Sequence, residues 1–185
     1  MKKITLYLFG MLLMSSCLTE PNFSNVPEIS YNNLNIITTQ TPDALGNVTS
    51  RDSVILSINF QDGDGDLGVT QGEFAGTTVT SPSLKGVKVY DLKLYVQKNG
   101  VFKESSPAIP LSGSGYIPFH FKTSTKPGPI EGVIDYSMTF NYKNFSYIPL
   151  LTGKKDTIRF DVWIKDRALN TSNVVQTPPI VLFNK

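Results

Sequence analysis

The sequence predicts an all-β protein, an antiparallel β-sandwich of about seven strands, and three observations lead to this prediction. Several segments alternate apolar and polar residues, which is the pattern of strands buried on one face. No segment keeps the roughly 3.6-residue apolar period of an amphipathic helix. The composition agrees, because aromatic residues make up 11% of the chain, and its 14 glycines and 12 prolines favour turns between strands.

The first 17 residues have the layout of a secretory signal. Lys2 and Lys3 form a short positive segment, and an apolar stretch follows from Ile4 to Met14. That stretch is too short to span a bilayer, which needs about 20 apolar residues. Two serines then lead into Cys17, which is the only cysteine of the chain. The sequence therefore predicts export and excludes both an intrachain disulfide and a cysteine-based zinc site.

The residues Met14–Cys17 resemble a bacterial lipobox, in which small residues precede a cysteine. The resemblance implies a signal peptide at residues 1–16, cleavage before Cys17, diacylglycerol on the Cys17 thiol and acylation of the new amino group. Several acyl chains give stable anchoring, because each buried CH₂ contributes about 0.8 kcal/mol. The alternative is an ordinary secretory peptide with a chance cysteine. We expect a cell-envelope protein, an outer-membrane lipoprotein that faces the periplasm or the surface.

The segment after the cysteine is polar and rich in proline and asparagine. We expect residues 17–27 to hold the lipidated cysteine and a flexible tether, and residues 28–185 to form the sandwich. Removal of the signal takes two of the 17 basic residues and leaves 15, equal to the 15 acidic ones. A neutral domain without a basic stripe gives no electrostatic reason to bind nucleic acid.

The first half of the domain has one weak and one strong strand signal. Glu28–Thr39 is the weak signal. Ser53–Phe60 is the strong one, since every second residue from Val54 onward is apolar and only Ile55 breaks the polar face. A long connection rich in Ser, Thr, Gly and Pro follows, at about Leu67–Lys85.

The second half continues the alternation. Asp91–Lys98 is followed by Asn99-Gly100, the dipeptide favoured by a type I′ hairpin turn, so that Val101 begins a return strand. The remaining strand predictions, two strong and two weak, are Ile134–Tyr142, Ile158–Lys165, Tyr116–Phe121 and Asn173–Phe183.

Three aspartates alternate with glycines directly after the Ser53–Phe60 strand, at Asp62, Asp64 and Asp66. Such closely spaced negative charges are unfavourable unless a cation neutralises them. The glycines let the backbone turn so that the carboxylates converge, and Ca²⁺ takes about six to eight oxygen ligands. We expect a structural Ca²⁺ here. The alternative is a solvated turn, because Asp and Gly also dominate turns. An EF-hand is not expected, since Leu67 stands at the sixth position and no helix follows.

The segment Asp166–Asn170 resembles the Asp-x-Ala-Gly-Asn turn that precedes the last strand of many bacterial immunoglobulin-like domains. Leu169 replaces the usual glycine of that turn. In such a sandwich, the loop after the second strand and the loop before the last strand emerge at the same end. The resemblance therefore implies that Asp166 and the amide oxygen of Asn170 join the three aspartates as ligands.

Together, the acidic run after an early strand and this ending make the chain similar to surface lipoproteins of Bacteroidota-type bacteria. The resemblance implies an immunoglobulin-like sandwich, of the cadherin or fibronectin type III kind, that acts outside the cytoplasm as a binding or structural domain with an undefined ligand.

The sequence gives no reason to expect an enzyme. The single histidine, His120, lies in a strand-like stretch, and the chain has no Gly-x-Ser-x-Gly motif to hold a nucleophile. Its clustered carboxylates are crowded into one loop, which suits a metal better than acid–base catalysis.

Two functional hypotheses lead, and an enzyme of unrecognised type is a third. In the first, the protein is a calcium-stabilised binding or assembly module of the envelope, with other envelope proteins or glycans as partners. In the second, it captures glycans for a polysaccharide-uptake system through aromatic side chains such as Trp163, which falls on the outer face of its strand. The alternative for Trp163 is that a loop covers it.

Overall fold

The computed structural model describes residues 20–42, 45–68, 74–75, 78–79, 89–105, 128–142 and 148–184, and these contain strands and loops but no helix. No described helix could therefore span a membrane. The strands, in chain order, are β1 Glu28–Pro42, β2 Val48–Asp62, β3 Phe74–Ala75, β4 Thr78–Val79, β5 Tyr90–Lys98, β6 Val101–Ser105, β7 Ile130–Asn141, β8 Thr157–Ile164, β9 Val175–Gln176 and β10 Ile180–Val181.

The strands form two main antiparallel sheets. One has the order β1-β2-β7, and the other has the order β10-β8-β5-β6, with β9 also paired to β8. The short strands β3 and β4 pair only with each other among the described strands. The prediction of an antiparallel β-sandwich is confirmed, with eight strands in the two main sheets where about seven were expected. Immunoglobulin-like sandwiches divide the chain between their sheets in the same way.

The core lies between the sheets, and the period-two pattern explains how it forms. In β2 the side chains of Val54, Leu56 and Ile58 are fully buried while the residues between them are half-buried. β8 alternates in the same way. Tyr90 and Tyr136 stack across the two sheets with their ring centroids 5.1 Å apart. Burial of each large apolar side chain contributes about 1.5–3 kcal/mol, so this alternation also holds the sheets together.

Local chemistry sets several of the strand ends. Asn99 and Gly100 adopt φ values of 53° and 81°, as a type I′ turn between β5 and β6 requires. The segment predicted as one strand at Asn173–Phe183 instead contains β9 and β10. Pro178 and Pro179 separate these two strands, because proline has no N–H to donate to a neighbouring strand.

Several predictions concern residues outside the described ranges. They include the signal peptide, the lipid attachment at Cys17, the strand at Tyr116–Phe121 with His120, and most of the connection at Leu67–Lys85.

Candidate metal centre at one end of the sandwich

The three aspartates of the acidic loop, residues 62–68, converge on one point. Asp62 is the last residue of β2, and its side chain lies on the face of the strand that points into the core. Gly65 and Gly68 have φ values of 67° and 90°, so the backbone turns back on itself where a side chain would be strained. As a result, one carboxylate oxygen from each of Asp62, Asp64 and Asp66 lies within 4.8 Å of the other two.

The carboxylates of Asp62 and Asp66 each keep a buried oxygen that has no hydrogen-bond donor among the described residues. Asp62 is 0% exposed; its Oδ2 accepts a hydrogen bond from the Asp66 backbone N–H at 3.0 Å. Its Oδ1 is buried and has no hydrogen-bond partner among the described residues, and the same holds for Oδ1 of Asp66. A buried carboxylate oxygen without a donor has lost its hydration and gained nothing in exchange, which is unfavourable.

The carboxylates also destabilise one another as charges. Burial and, after it, the charges of Asp64 and Asp66 raise the pKa of Asp62 from 3.8 to about 6, while the hydrogen bond from the Asp66 N–H opposes the shift. Burial also raises the pKa of Asp66, and the charges of Asp166 and Asp64 raise it by smaller amounts. The arrangement therefore favours either protons or a bound cation over three bare charges.

The loop between β8 and β9 lies beside the acidic loop. Asp166 is fully buried, and its carboxylate accepts hydrogen bonds from the backbone N–H and the side-chain amide of Asn170, both at 2.7 Å. Leu169 has a φ of 68°, so it takes up the left-handed conformation that glycine adopts most readily. The two loops are joined directly, because Arg167 Nη1 donates to the Gly68 carbonyl at 3.4 Å.

The five predicted site residues are thus close but not equivalent. Asp62, Asp64 and Asp66 form the convergent group. Asp166 lies outside that group, yet its charge raises the pKa of both Asp62 and Asp66. Asn170 was expected to offer its amide oxygen, but its amide nitrogen is engaged with Asp166.

The chain before β1 also packs on the acidic loop, which the sequence did not indicate. The Gly63 N–H donates to the Ser24 carbonyl at 2.8 Å. A Cβ on Gly63 would lie 2.5 Å from the Phe23 carbonyl oxygen and 2.9 Å from Asn25 Oδ1, so only glycine allows this approach. Part of the segment expected to be a tether therefore lies against the folded domain.

Two further contacts complete this end of the sandwich. The Gly128 N–H, just before β7, donates to the Asp64 carbonyl at 3.1 Å. The side chain of Asn173 pairs with both the N–H and the carbonyl of Ile29 in β1, at 2.9 and 2.8 Å. The acidic loop is thus in contact with the chain before β1, the chain before β7 and the loop after β8.

Comparisons of the chain with protein-family models, with curated proteins and with solved structures found no match.

Proposed function

We propose that the protein is a lipid-anchored module of the cell envelope that binds or assembles other envelope components, and that a calcium ion stabilises one end of its sandwich. The observation that supports the cation most strongly is the buried Asp62 side chain, whose Oδ1 has no described hydrogen-bond donor and which faces two more carboxylates. A divalent cation would supply the missing partner and neutralise the repulsion.

The chemistry of the donors favours calcium over other metals. All three are carboxylate oxygens, which suit a hard cation. A turn with two glycines at positive φ can adjust to the six to eight or so ligands at irregular angles that Ca²⁺ accepts, whereas Mg²⁺ demands near-octahedral geometry. Backbone carbonyls and water would fill the remaining positions.

The role that we propose for the ion is structural. The acidic loop touches the chain before β1 through Ser24, the chain before β7 through Gly128 and the loop after β8 through Arg167. A cation that fixed the acidic loop would therefore fix these segments with it. The chain before β1 leads towards Cys17, so the same ion would hold the domain at a set distance from the lipid anchor.

Measurement of the melting temperature in excess EDTA and in millimolar Ca²⁺ tests the cation. A ligand that binds only the native state adds about 2.7 kcal/mol at roughly 100-fold saturation, which raises the melting temperature by several degrees. Mg²⁺ at the same concentration should give a smaller rise. Equal melting temperatures in EDTA and Ca²⁺ would mean that the acidic loop is an ordinary turn without a cation site.

The lipid anchor is tested separately. We expect the protein to incorporate a labelled fatty acid and to fractionate with membranes, and a Cys17→Ala variant to lose both properties. A Cys17→Ala variant that stayed equally membrane-bound would contradict the anchor but would not bear on calcium.

A glycan-capturing role is the second candidate. The side chain of Trp163 is half-buried on the outer face of β8, between the inward-facing Val162 and Ile164. A glycan array separates the two roles, since capture of polysaccharide predicts binding that Trp163→Ala reduces, whereas a purely assembling module predicts no glycan binding.

A further inference from the structure

The outer face of the sheet β10-β8-β5-β6 carries an arginine clamp, in which the guanidinium of Arg159 contacts two aromatic rings. Arg159 in β8 pairs in register with Tyr95 in β5, and both point away from the core. The guanidinium carbon of Arg159 lies 4.9 Å from the centroid of the Tyr95 ring and 4.7 Å from that of Phe102 in β6. Cation–π attraction to both rings holds the guanidinium in place.

The acidic side chains around this clamp are engaged by other groups. Glu104 forms an ion pair with Lys93, with Nζ and Oε2 3.2 Å apart. Asp161 accepts a hydrogen bond from Gln176 Nε2 at 3.2 Å and also bonds to the hydroxyl of Tyr95. Neither of these neighbouring carboxylates pairs with Arg159.

Arg159 itself has no hydrogen-bond or ion-pair partner among the described residues, and its Nε is buried without an acceptor. A guanidinium remains charged at all physiological pH values and presents its N–H donors in a rigid fork that matches a carboxylate. The rings have already fixed its orientation, so a ligand that docks on it loses less conformational entropy on binding.

We propose that Arg159 is the specificity-determining residue of a glycan-binding face and that it recognises the carboxylate of an acidic sugar, a uronate. The proposal rests on the role of the protein as a binding module and is independent of the cation, because the face lies on strands β5, β6 and β8 rather than on the acidic loop.

The composition of the face favours a sugar over a protein partner. The centre of a protein interface is normally apolar and poor in charge, whereas this face alternates half-buried rings with the charged Lys93, Glu104 and Asp161. A sugar ring offers hydroxyls to such charged groups and an apolar C–H face to the rings. Trp163 lies four residues further along β8, about 13 Å away, so one oligosaccharide can reach both positions.

The test measures binding of the full-length protein in detergent to an array that pairs uronate-bearing oligosaccharides with their carboxyl-reduced, neutral counterparts, and to acidic peptides. We expect at least one uronate oligosaccharide to bind about ten-fold or more tightly than its reduced partner. Arg159→Gln should weaken that binding about ten- to one-hundred-fold, since a charge-assisted hydrogen bond is lost.

Two further variants control this result. Arg159→Lys keeps the charge but loses the fork, so we expect an intermediate affinity. Lys154→Gln removes an exposed positive charge from the loop before β8 and should change the affinity less than two-fold. Unchanged melting temperatures would establish that Arg159→Gln remains folded.

Three outcomes would overturn the proposal: equal binding of charged and reduced sugars, preference for acidic peptides, or full affinity in Arg159→Gln. None of them affects the calcium-dependent melting shift. Conversely, loss of that shift with retained uronate binding would reject the cation alone.

Discussion

The two ends of the sandwich both bury aspartates, and they do so in opposite ways. At the end away from the acidic loop, Asp156 is 5% exposed and precedes β8. Its Oδ2 accepts from the N–H groups of Thr152 and Gly153, both at 2.7 Å, and its Oδ1 accepts from Thr152 Oγ1 at 2.8 Å and Lys98 Nζ at 3.3 Å. At the acidic end, three carboxylates face each other.

The difference separates a buried carboxylate that the chain itself neutralises from the cluster at which we propose a metal ion. Asp156 has four protein donors, including one cation, so its charge is balanced within the chain. Asp52 is an intermediate case, since its Oδ2 accepts from the Phe183 N–H at 2.6 Å while its Oδ1 has no described partner. That carboxylate fastens the C-terminal segment. Among the described residues, only the acidic loop combines buried oxygens that have no described donor with a convergence of like charges, and this combination is the basis for the cation that we propose.

Of the substitutions that test this comparison, removal of the Asp156 carboxylate should cause the largest loss of stability. We expect Asp156→Ala to lower the free energy of unfolding by about 3 kcal/mol, because four donors lose their acceptor and Lys98 loses its counter-ion. The loss should be the same in EDTA and in Ca²⁺, as measured by urea denaturation. Asp156→Asn, which keeps one carbonyl acceptor, should lose less. A loss confined to Ca²⁺ would show that the two ends are coupled.

Neutralisation of Asp62 tests the acidic end. Here the loss of stability should depend on Ca²⁺, unlike the loss expected for Asp156→Ala. In saturating Ca²⁺, Asp62→Asn should lose most of the roughly 2.7 kcal/mol that the ion supplies. In EDTA the variant should be at least as stable as the wild type, because one of three repelling charges has gone.

Thermal denaturation of both proteins with and without Ca²⁺ measures the difference. The matched control is Asp135→Asn, an exposed aspartate on the outer face of β7, which should behave like the wild type in both conditions. If Asp62→Asn lost equal stability in EDTA and Ca²⁺, the residue would serve the turn and not a cation.

The sequence predicted most of the fold because the signals were local. Alternation located β2, β5, β7 and β8, and Asn99-Gly100 specified the turn that the structure contains. The convergence of Asp62, Asp64 and Asp66 was equally local, since glycines alternate with the acids directly after a strand.

The parts that the sequence could not supply depend on contacts between distant segments. The approach of Phe23 and Ser24 to Gly63 joins residues about forty positions apart, and Gly63 looks like any turn glycine in the sequence. The Arg159 clamp depends on the register of three strands, which the parity of one strand does not fix. The donors around Asp156 come partly from Thr152 and Gly153, in a segment that reads as an ordinary surface turn, and partly from Lys98, which lies 58 positions earlier in the chain.

Two glycines of the acidic end give the test with the smallest expected effect. Gly63 belongs to the acidic loop and Gly128 donates a hydrogen bond to it, but the two differ in the space around them. Gly63 has the Phe23 carbonyl oxygen 2.5 Å from its would-be Cβ, whereas nothing lies within 4 Å of the same position on Gly128. Gly63→Ala should therefore displace the chain before β1 and cost about 1–2 kcal/mol, at the lower part of the range for overpacking. Gly128→Ala should be neutral.

Hydrogen exchange of the backbone between Phe23 and Val26 is the direct measurement. In the wild type, Ca²⁺ should slow this exchange, because the ion fixes the loop against which the segment packs. In Gly63→Ala the segment should exchange quickly with or without Ca²⁺, while Gly128→Ala should keep the calcium dependence. Equal exchange in all three proteins would mean that the acidic loop does not order the chain before β1. A calcium-dependent difference would instead show that a bound ion also orders the chain before β1, whereas the Asp156 end, whose donors all come from the protein, should show no calcium dependence.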